Sequence, residues 1–278
     1  MKLLILGAAG QLGSTFAAVR NHDVVGLTRV DLDVTDHRAV VAAAARETPD
    51  VIVNCTAYNN VDGAEDDAMT ALAVNAMAVR SMAAAATRVG ATLVHYSTDF
   101  VFDGEATRPY TEDDRTRPVS TYGCSKLLGE WFAQDAPRWY VLRVESLFGG
   151  RQARSSVDKI AAALKEGRRA PVFVDRVVTP SYVEDVRDAT LALLARDTPS
   201  GVFHCVNSGQ GTWADVGRHI ADLLGADPGL LVPTSVKDVT LRAQRPVYCA
   251  LSNDRLAAAI GRPLPGWQDA IRRYVATL

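Results

Sequence analysis

The chain is short of the residues that build metal centres and disulfide frameworks. Its four cysteines, Cys55, Cys124, Cys205 and Cys249, stand far apart and form no CxxC pair. Neither a zinc site nor a secreted disulfide scaffold is implied, and a reducing cytoplasm is the expected setting. The five histidines are equally scattered, and no cluster of His, Cys and carboxylates has ligand spacing, so no metal is expected. A surplus of one charge is missing too. Lys plus Arg number 30 against 32 for Asp plus Glu, and the formal net charge of -2 offers no broad basic field to nucleic acid or to an anionic membrane. Long apolar runs are not evident: Gly7 interrupts the opening "MKLLIL" before it reaches the length of a signal core, and no stretch reads as long enough to span a bilayer. Small-molecule partners remain.

What is present is apolar material for a sizeable core, 48% of 278 residues, arranged in a regular alternation. Short runs rich in β-branched residues or leucine, at 2 to 6, 23 to 27, 50 to 54, 91 to 96 and 139 to 144, alternate with segments of helical length. The latter include Gln11 to Val19, Asp36 to Arg46 and Ala64 to Arg88. Strands that alternate with helices form βαβ units, which predicts an α/β fold: a doubly wound, Rossmann-type parallel sheet covered on both faces. After residue 150 the rhythm shortens, with strands expected at 170 to 174 and 201 to 206 and helices near 156 to 166, 183 to 195, 213 to 224 and 267 to 276. The expected division is a dinucleotide-binding domain over 1–150 and a smaller, mostly substrate-binding lobe over 151–278, interleaved with the first and returning elements to its core.

"ILGAAGQLGS" follows the first strand directly and spaces Gly7, Gly10 and Gly13 three apart where a helix should begin. Glycines there permit a tight turn, a close approach of backbone to a pyrophosphate and close packing of helix on strand. A dinucleotide is the expected ligand. At the end of the second strand stand Thr28 and Arg29 in place of the acidic residue that would hold free ribose hydroxyls; a guanidinium there suits a 2'-phosphate and favours NADPH over NADH. Asp33 either accepts from the adenine amine or precedes a helix cap at Thr35.

"TYGCSK" places Tyr122 and Lys126 four apart, on one face of a helix. A neighbouring ammonium favours the phenolate, and so is expected to lower the tyrosine pKa from about 10 toward neutrality. The motif follows the fourth strand, whose end "HYSTDF" offers Thr98, or Ser97 beside it, as a hydroxyl for the same pocket.

With "STDFVFDG", "NCTAYNNVDGAED", "VNAMAV", "YGCSKLLGE", "SYVEDV" and the tail "RPVYCALSNDRL", these motifs resemble the extended short-chain dehydrogenase/reductase superfamily and, within it, the dTDP-4-dehydrorhamnose reductase family, over nearly the whole chain. The resemblance implies a nicotinamide cofactor, a nucleotide-linked 4-keto-6-deoxy sugar and Thr98, Tyr122 and Lys126 as the catalytic set. It also implies that Gln11, Leu12, Val34, Cys55, Thr56, Ala57 and Tyr58 join Gly7, Gly10, Gly13, Arg29 and Asp33 around the cofactor, with assembly as a homodimer allowed. Substrate contacts are expected from Asp99, Phe100, Glu145 and Ser146, and from Arg176 and Thr179 in "DRVVTPSYVEDV", as partners for the nucleotide diphosphate. Arg245 either shares that role or fixes the lobe to the sheet.

Two departures stand out. Phe100 replaces a tyrosine usual in the family, and Ser146 replaces a tryptophan, which widens and polarises a pocket wall and points to a sugar other than the rhamnose precursor. Glu145 either bonds a sugar hydroxyl or pairs with Arg143. Two alternatives remain open: a non-catalytic NAD(P)-binding regulatory protein of the same family, and a sugar-nucleotide epimerase or dehydratase. Retention of both Tyr122 and Lys126 argues against the first. For the second, Phe100 stands where dehydratases carry a glutamate base. The four tryptophans and His95 read as packing residues.

Overall fold

The computed structural model describes all residues, Met1–Leu278. Its centre is a six-stranded parallel sheet. The first five strands are β1 (Lys2–Leu6), β2 (Asp23–Leu27), β3 (Val51–Asn54), β4 (Thr92–Thr98) and β5 (Arg138–Val144), each within two residues of the expected bounds. The strand Gly201–His204 pairs with β5 and closes the far edge, giving the order Gly201–His204, β5, β4, β3, β1, β2. Strand order reverses between β1 and β3, and the crevice outside the carboxyl ends of the strands at such a switch point is where doubly wound sheets bind ligands.

Successive side chains on each strand go to opposite faces, and both faces are apolar. Leu4, Leu6, Ile52, Leu93 and Val141 pack against an alanine-rich layer that includes Ala43, Ala44, Ala83 and Ala86. This layer comes from α2 (His37–Glu47) and α5 (Ala78–Val89). The intervening residues Leu3, Ile5, Val53, Val94 and Leu142 face the opposite way, into a larger core shared with the helices Ser156–Lys165, Val183–Leu194, Trp213–Leu224 and Trp267–Val275. One core therefore runs from the sheet into the second half of the chain.

Several expectations need correction. The first helix, α1, is only Gly13–Phe16, so the glycine turn is followed by one helical turn and the dipole it offers is small. The long helix expected over 64 to 88 is divided into α3 (Val61–Asp66), α4 (Ala68–Leu72), a π-helical turn (Ala73–Met77) and α5. Asn60 caps α3, and Asp67, at φ -131°, breaks the run and caps α4. The continuous stretch Ala68–Val89 is, at 22 residues, long and apolar enough by composition to cross a membrane, contrary to expectation, although half of it is buried within the fold. Helix α2 is capped by Asp36, whose carboxylate accepts from Arg38 N and Ala39 N, and not by Thr35. Trp131 is not a packing residue: it is 59% exposed.

Candidate active site

A cleft of about 1230 Å³ runs along the carboxyl ends of the strands. Its floor begins at the turn after β1. Gly7 adopts φ +83°, a left-handed conformation that suits glycine, and its N–H donates to Leu27 O. Gly7, Gly10, Gln11 and Leu12 line the cleft, but Gly13 does not. A Cβ on Gly13 would stand 2.3 Å from Gly7 O, so this glycine lets the helix close on the turn and is a packing residue. The wall continues through Arg29, Asp33, Val34, Cys55, Thr56, Ala57 and Tyr58. The carboxylates at the end of β2 are engaged within the chain: Asp31 accepts from Thr28 N and Oγ1, and Asp33 from Thr35 N and Oγ1. The Thr35 bonds hold the Asp33 carboxyl below its ordinary range. Arg29 is left as the cation of this end, in agreement with a site shaped for a phosphorylated ribose.

The other end of the cleft is built by α6 (Thr121–Ala133), which carries Tyr122 and Lys126 on its buried face. The Ser120 hydroxyl accepts from Gly123 N, and Glu65 accepts from both Thr121 N (2.8 Å) and Thr121 Oγ1 (2.7 Å), so the first turn has its amides satisfied and a carboxylate at its positive end. Further along, Arg143 of β5 reaches Glu130 through two bonds of 2.9 and 2.8 Å, with both side chains buried and the guanidinium over the Phe102 ring. That bidentate pair locks α6 against the sheet. It also overturns the expected pairing of Arg143 with Glu145.

Asn75, brought inward by the π-helical turn, was not foreseen. Its Oδ1 accepts from Tyr58 N (2.8 Å), and its Nδ2 donates to Tyr58 O (3.2 Å) and Ser125 Oγ (2.9 Å), so it ties the β3 loop of the cleft to the helix of Tyr122. The sequence signal, an asparagine inside an alanine-rich helical pattern, is faint because the π turn that carries it inward leaves no mark in the sequence. Thr70, Gln152, Arg154, Ser155, Ser156 and Trp213 also line the cleft without having been singled out as ligands.

Lys126 Nζ, 2% exposed as a residue, donates to Tyr96 O at 2.6 Å and lies 3.5 Å from His95 Nε2. Burial pushes its pKa down to about 8, with Glu130 opposing. His95 behaves as the packed histidine expected of it: Asn54 Nδ2 lies 3.0 Å from its Nδ1, and burial and the neighbouring Lys126 push its pKa down. The expectation for Tyr122 fails. Its phenol is pushed up from 10, by burial first and by the Asp99 charge second, while the Thr98 hydroxyl works in the opposite direction. Lys126 turns toward the Tyr96 carbonyl and does not counter this. The ring meets Phe100 edge-on at 5.5 Å.

Thr98 donates to Asp99 Oδ1 at 2.9 Å and accepts from Phe100 N at 3.2 Å. Ser97 Oγ, beside it in the cleft wall, has no partner. Asp99, Phe100, Ser146 and Arg176 all line this end of the cleft. Glu145, Thr179 and Arg245 do not, which corrects the substrate contacts expected of Glu145 and Thr179 and the first of the two roles expected of Arg245. Glu145 is 1% exposed and accepts from Ser146 Oγ (2.5 Å) and, through a very short bond, from Thr179 N. Burial first, and the Asp99 charge second, push its carboxyl up to about 8. Thr179 Oγ1 accepts from Leu251 N. Arg245 pairs with Asp62 of α3 at 2.9 Å, fixing the C-terminal segment to the sheet-side layer, the second of its two expected roles. Ser146 is held at φ +45°, a strained conformation for a residue with a Cβ.

Comparison with known proteins gives a consistent answer. The family described as the RmlD substrate binding domain matches residues 1–278. A probable dTDP-4,6-dihydroxy-2-methyloxan-3-one 4-ketoreductase of Streptomyces antibioticus is 39% identical, over 98% of this chain and 94% of that protein. A dTDP-4-dehydrorhamnose reductase of Streptomyces griseus is 36% identical, over 96% of this chain and 91% of that protein. The crystal structure of dTDP-4-dehydrorhamnose reductase from Bacillus anthracis in complex with NADP superposes with a TM-score of 0.94 at 27% identity, covering 100% of this chain and 99% of that one.

Proposed function

The chain belongs to the RmlD substrate binding domain family, and from that premise we propose that it is an NADPH-dependent reductase that converts the ketone of a dTDP-linked 4-keto-6-deoxy sugar to an alcohol. The observation that carries this reading is the shared cleft: the glycine turn with Arg29 lies at one end and Tyr122 with Lys126 at the other, on one continuous wall. Relatives that reduce dTDP-linked keto sugars, and a related structure that holds NADP, support the same substrate and cofactor.

The residues present fit the cofactor. The backbone of Gly7 to Leu12 would hold the pyrophosphate, Arg29 the 2'-phosphate, and Val34, Ala57 and Tyr58 would wall the rest of the dinucleotide, with the acids of the β2 end already engaged elsewhere. Bound NADPH supplies the hydride that the carbonyl carbon accepts. Tyr122 supplies the proton to the carbonyl oxygen; its raised pKa keeps the phenol loaded as an acid at neutral pH. Lys126, which spends one donor on Tyr96 O, keeps donors for the ribose hydroxyls. Thr98, itself bonded to Asp99, aligns the carbonyl oxygen with the phenol. The sugar lies between the 1–150 domain and the 151–278 lobe, and four free thiols, with Cys124 exposed, suit a reducing, cytoplasmic setting.

The test is oxidation of NADPH, followed by absorbance, against a panel of dTDP-linked 4-keto-6-deoxy sugars. Turnover of at least one is expected, and the Tyr122→Phe variant should bind NADPH normally and lose roughly 10²- to 10⁴-fold in kcat. Binding of NADPH with no oxidation across the panel would leave the regulatory reading in its place.

A further inference from the structure

Glu145 sits behind the cleft wall and joins two parts of it. It follows β5 directly, is 1% exposed and does not line the cleft, whereas its neighbour Ser146 does. One carboxyl oxygen, Oε1, lies 2.5 Å from Ser146 Oγ, and the other, Oε2, accepts from Thr179 N. Thr179 follows the strand Val177–Val178, at the end of an arm whose Arg176 lines the cleft. The arm is tied to the C-terminal segment by Leu251 N on Thr179 Oγ1 (3.2 Å) and by Cys249 N on Val177 O (2.9 Å), and to the β5 turn by Ser181 N on Ser146 O (3.3 Å). Among these ties, the Glu145 carboxyl is the one side-chain group that reaches from the end of the sheet to the arm. Ser146 is strained at φ +45°, and its bond to Glu145 is the only hydrogen bond its hydroxyl makes within the chain. Such a conformation persists where the surroundings over-determine it, and here the carboxyl does so.

The carboxyl makes both bonds whether or not it carries a proton, but in different senses. Ionised, it only accepts, so the Ser146 hydroxyl must direct its proton to Oε1. Protonated on Oε1, it donates to Ser146 Oγ and frees the serine proton for the cleft, while Thr179 N keeps Oε2. The charged or titratable groups that face Glu145 are Asp99 from the turn after β4, Arg176 from the arm and Cys249 from the C-terminal segment. Burial and the Asp99 charge favour the protonated acid; the bonds from Ser146 and Thr179 and the Arg176 charge oppose it, with the balance at about 8.

We propose that Glu145 is a positioning residue for the sugar: from behind the wall it fixes the β5 turn to the arm of Arg176, and by carrying or losing a proton it makes the Ser146 hydroxyl a donor to the ligand or an acceptor only. This rests on the keto-sugar reading of the cleft and adds a regulation to it. Loss of the proton also puts a negative charge behind the site of an anionic nucleotide sugar. Both effects weaken binding as pH rises through the range of the carboxyl, so the tighter binding is present below about pH 8 and lost above it.

The experiment titrates the NADP⁺-bound protein, which has no hydride to transfer, with a dTDP-linked 4-keto-6-deoxy sugar between about pH 6.5 and pH 9.5, reading tryptophan fluorescence, to which Trp213 in the cleft wall contributes. The comparison is Glu145→Gln, whose amide oxygen accepts from Thr179 N and whose amide N–H donates to Ser146 Oγ, copying the protonated acid at every pH. Lys126, which titrates in the same range, is common to both proteins and cancels in the ratio. The two dissociation constants should agree within about twofold at the lower pH and differ by about 3- to 10-fold at the higher, with the unaltered protein the weaker, the worth of one neutral hydrogen bond. Glu145→Ala, which makes neither bond, should bind the sugar about 10-fold or more weakly at both pH values and hold NADPH within about twofold of normal; should it fail to fold, the glutamine comparison decides. A ratio that does not change with pH overturns the proposal, as does a glutamine variant as weak as the alanine one at the lower pH. The expected divergence in binding, with no NADPH oxidised in parallel turnover assays, would retain the role of Glu145 and remove the reductase reading.

Discussion

Lys126 should cost the cofactor-free protein stability at neutral pH, and replacing it by methionine isolates that cost. A solvated lysine titrates at 10.5 and this one at about 8, because burial disfavours the ammonium. At about 1.4 kcal/mol per pH unit, keeping the proton in the folded chain costs about 3 kcal/mol at pH 7. The folded pKa lies below the unfolded one, so between roughly pH 8 and 10.5 the unfolded chain binds the extra proton and stability rises with pH. By pH 10 most of the penalty is gone, and about 1 kcal/mol remains. Lys126→Met removes the penalty but also leaves Tyr96 O without its donor, a loss of about 1 to 3 kcal/mol that does not depend on pH. The net effect at one pH is thus ambiguous, and the difference between two is not. Urea unfolding of both proteins at pH 7 and pH 10 should show the variant losing about 2 kcal/mol of relative stability between the two conditions, every other titrating group being common to the pair. A relative stability that is the same at both pH values would refute the claim that this lysine is held against its charge.

Arg29→Ala should weaken NADPH binding roughly 10- to 100-fold and leave NADH binding nearly unchanged, as measured by fluorescence titration, because only the 2'-phosphate uses the guanidinium. Gly13→Ala forces a methyl to 2.3 Å from Gly7 O; thermal unfolding should show a loss of about 1 to 3 kcal/mol, accompanied by weaker NADPH binding as the turn shifts. Arg143→Met strands the buried Glu130 carboxylate and should cost about 3 to 5 kcal/mol in urea unfolding, whereas the double variant Arg143→Met with Glu130→Leu should recover much of it.

The alternating strands and helices were legible because the central strands β1 and β3 are apolar on both faces and many boundaries carry a glycine, a proline or a capping residue such as Asp36, Asn60 or Ser120. The turn of Gly7, Gly10 and Gly13 was legible for the same reason: steric demands act over a few residues and leave a local signature. The π-helical turn at Ala73–Met77 left none, since alanine suits either winding, and so the reach of Asn75 to Tyr58 and Ser125 went unseen.

What the sequence determined by itself was the doubly wound sheet, the cofactor turn and the pairing of Tyr122 with Lys126 on one helical face, all consequences of short-range periodicity and backbone sterics. Charge was decided only in three dimensions. Arg143 found Glu130 and not Glu145, Arg245 went to Asp62, and the phenol of Tyr122 rose instead of falling, because desolvation and the nearest opposite charge depend on which distant elements close over a group. No spacing along the chain encodes that enclosure.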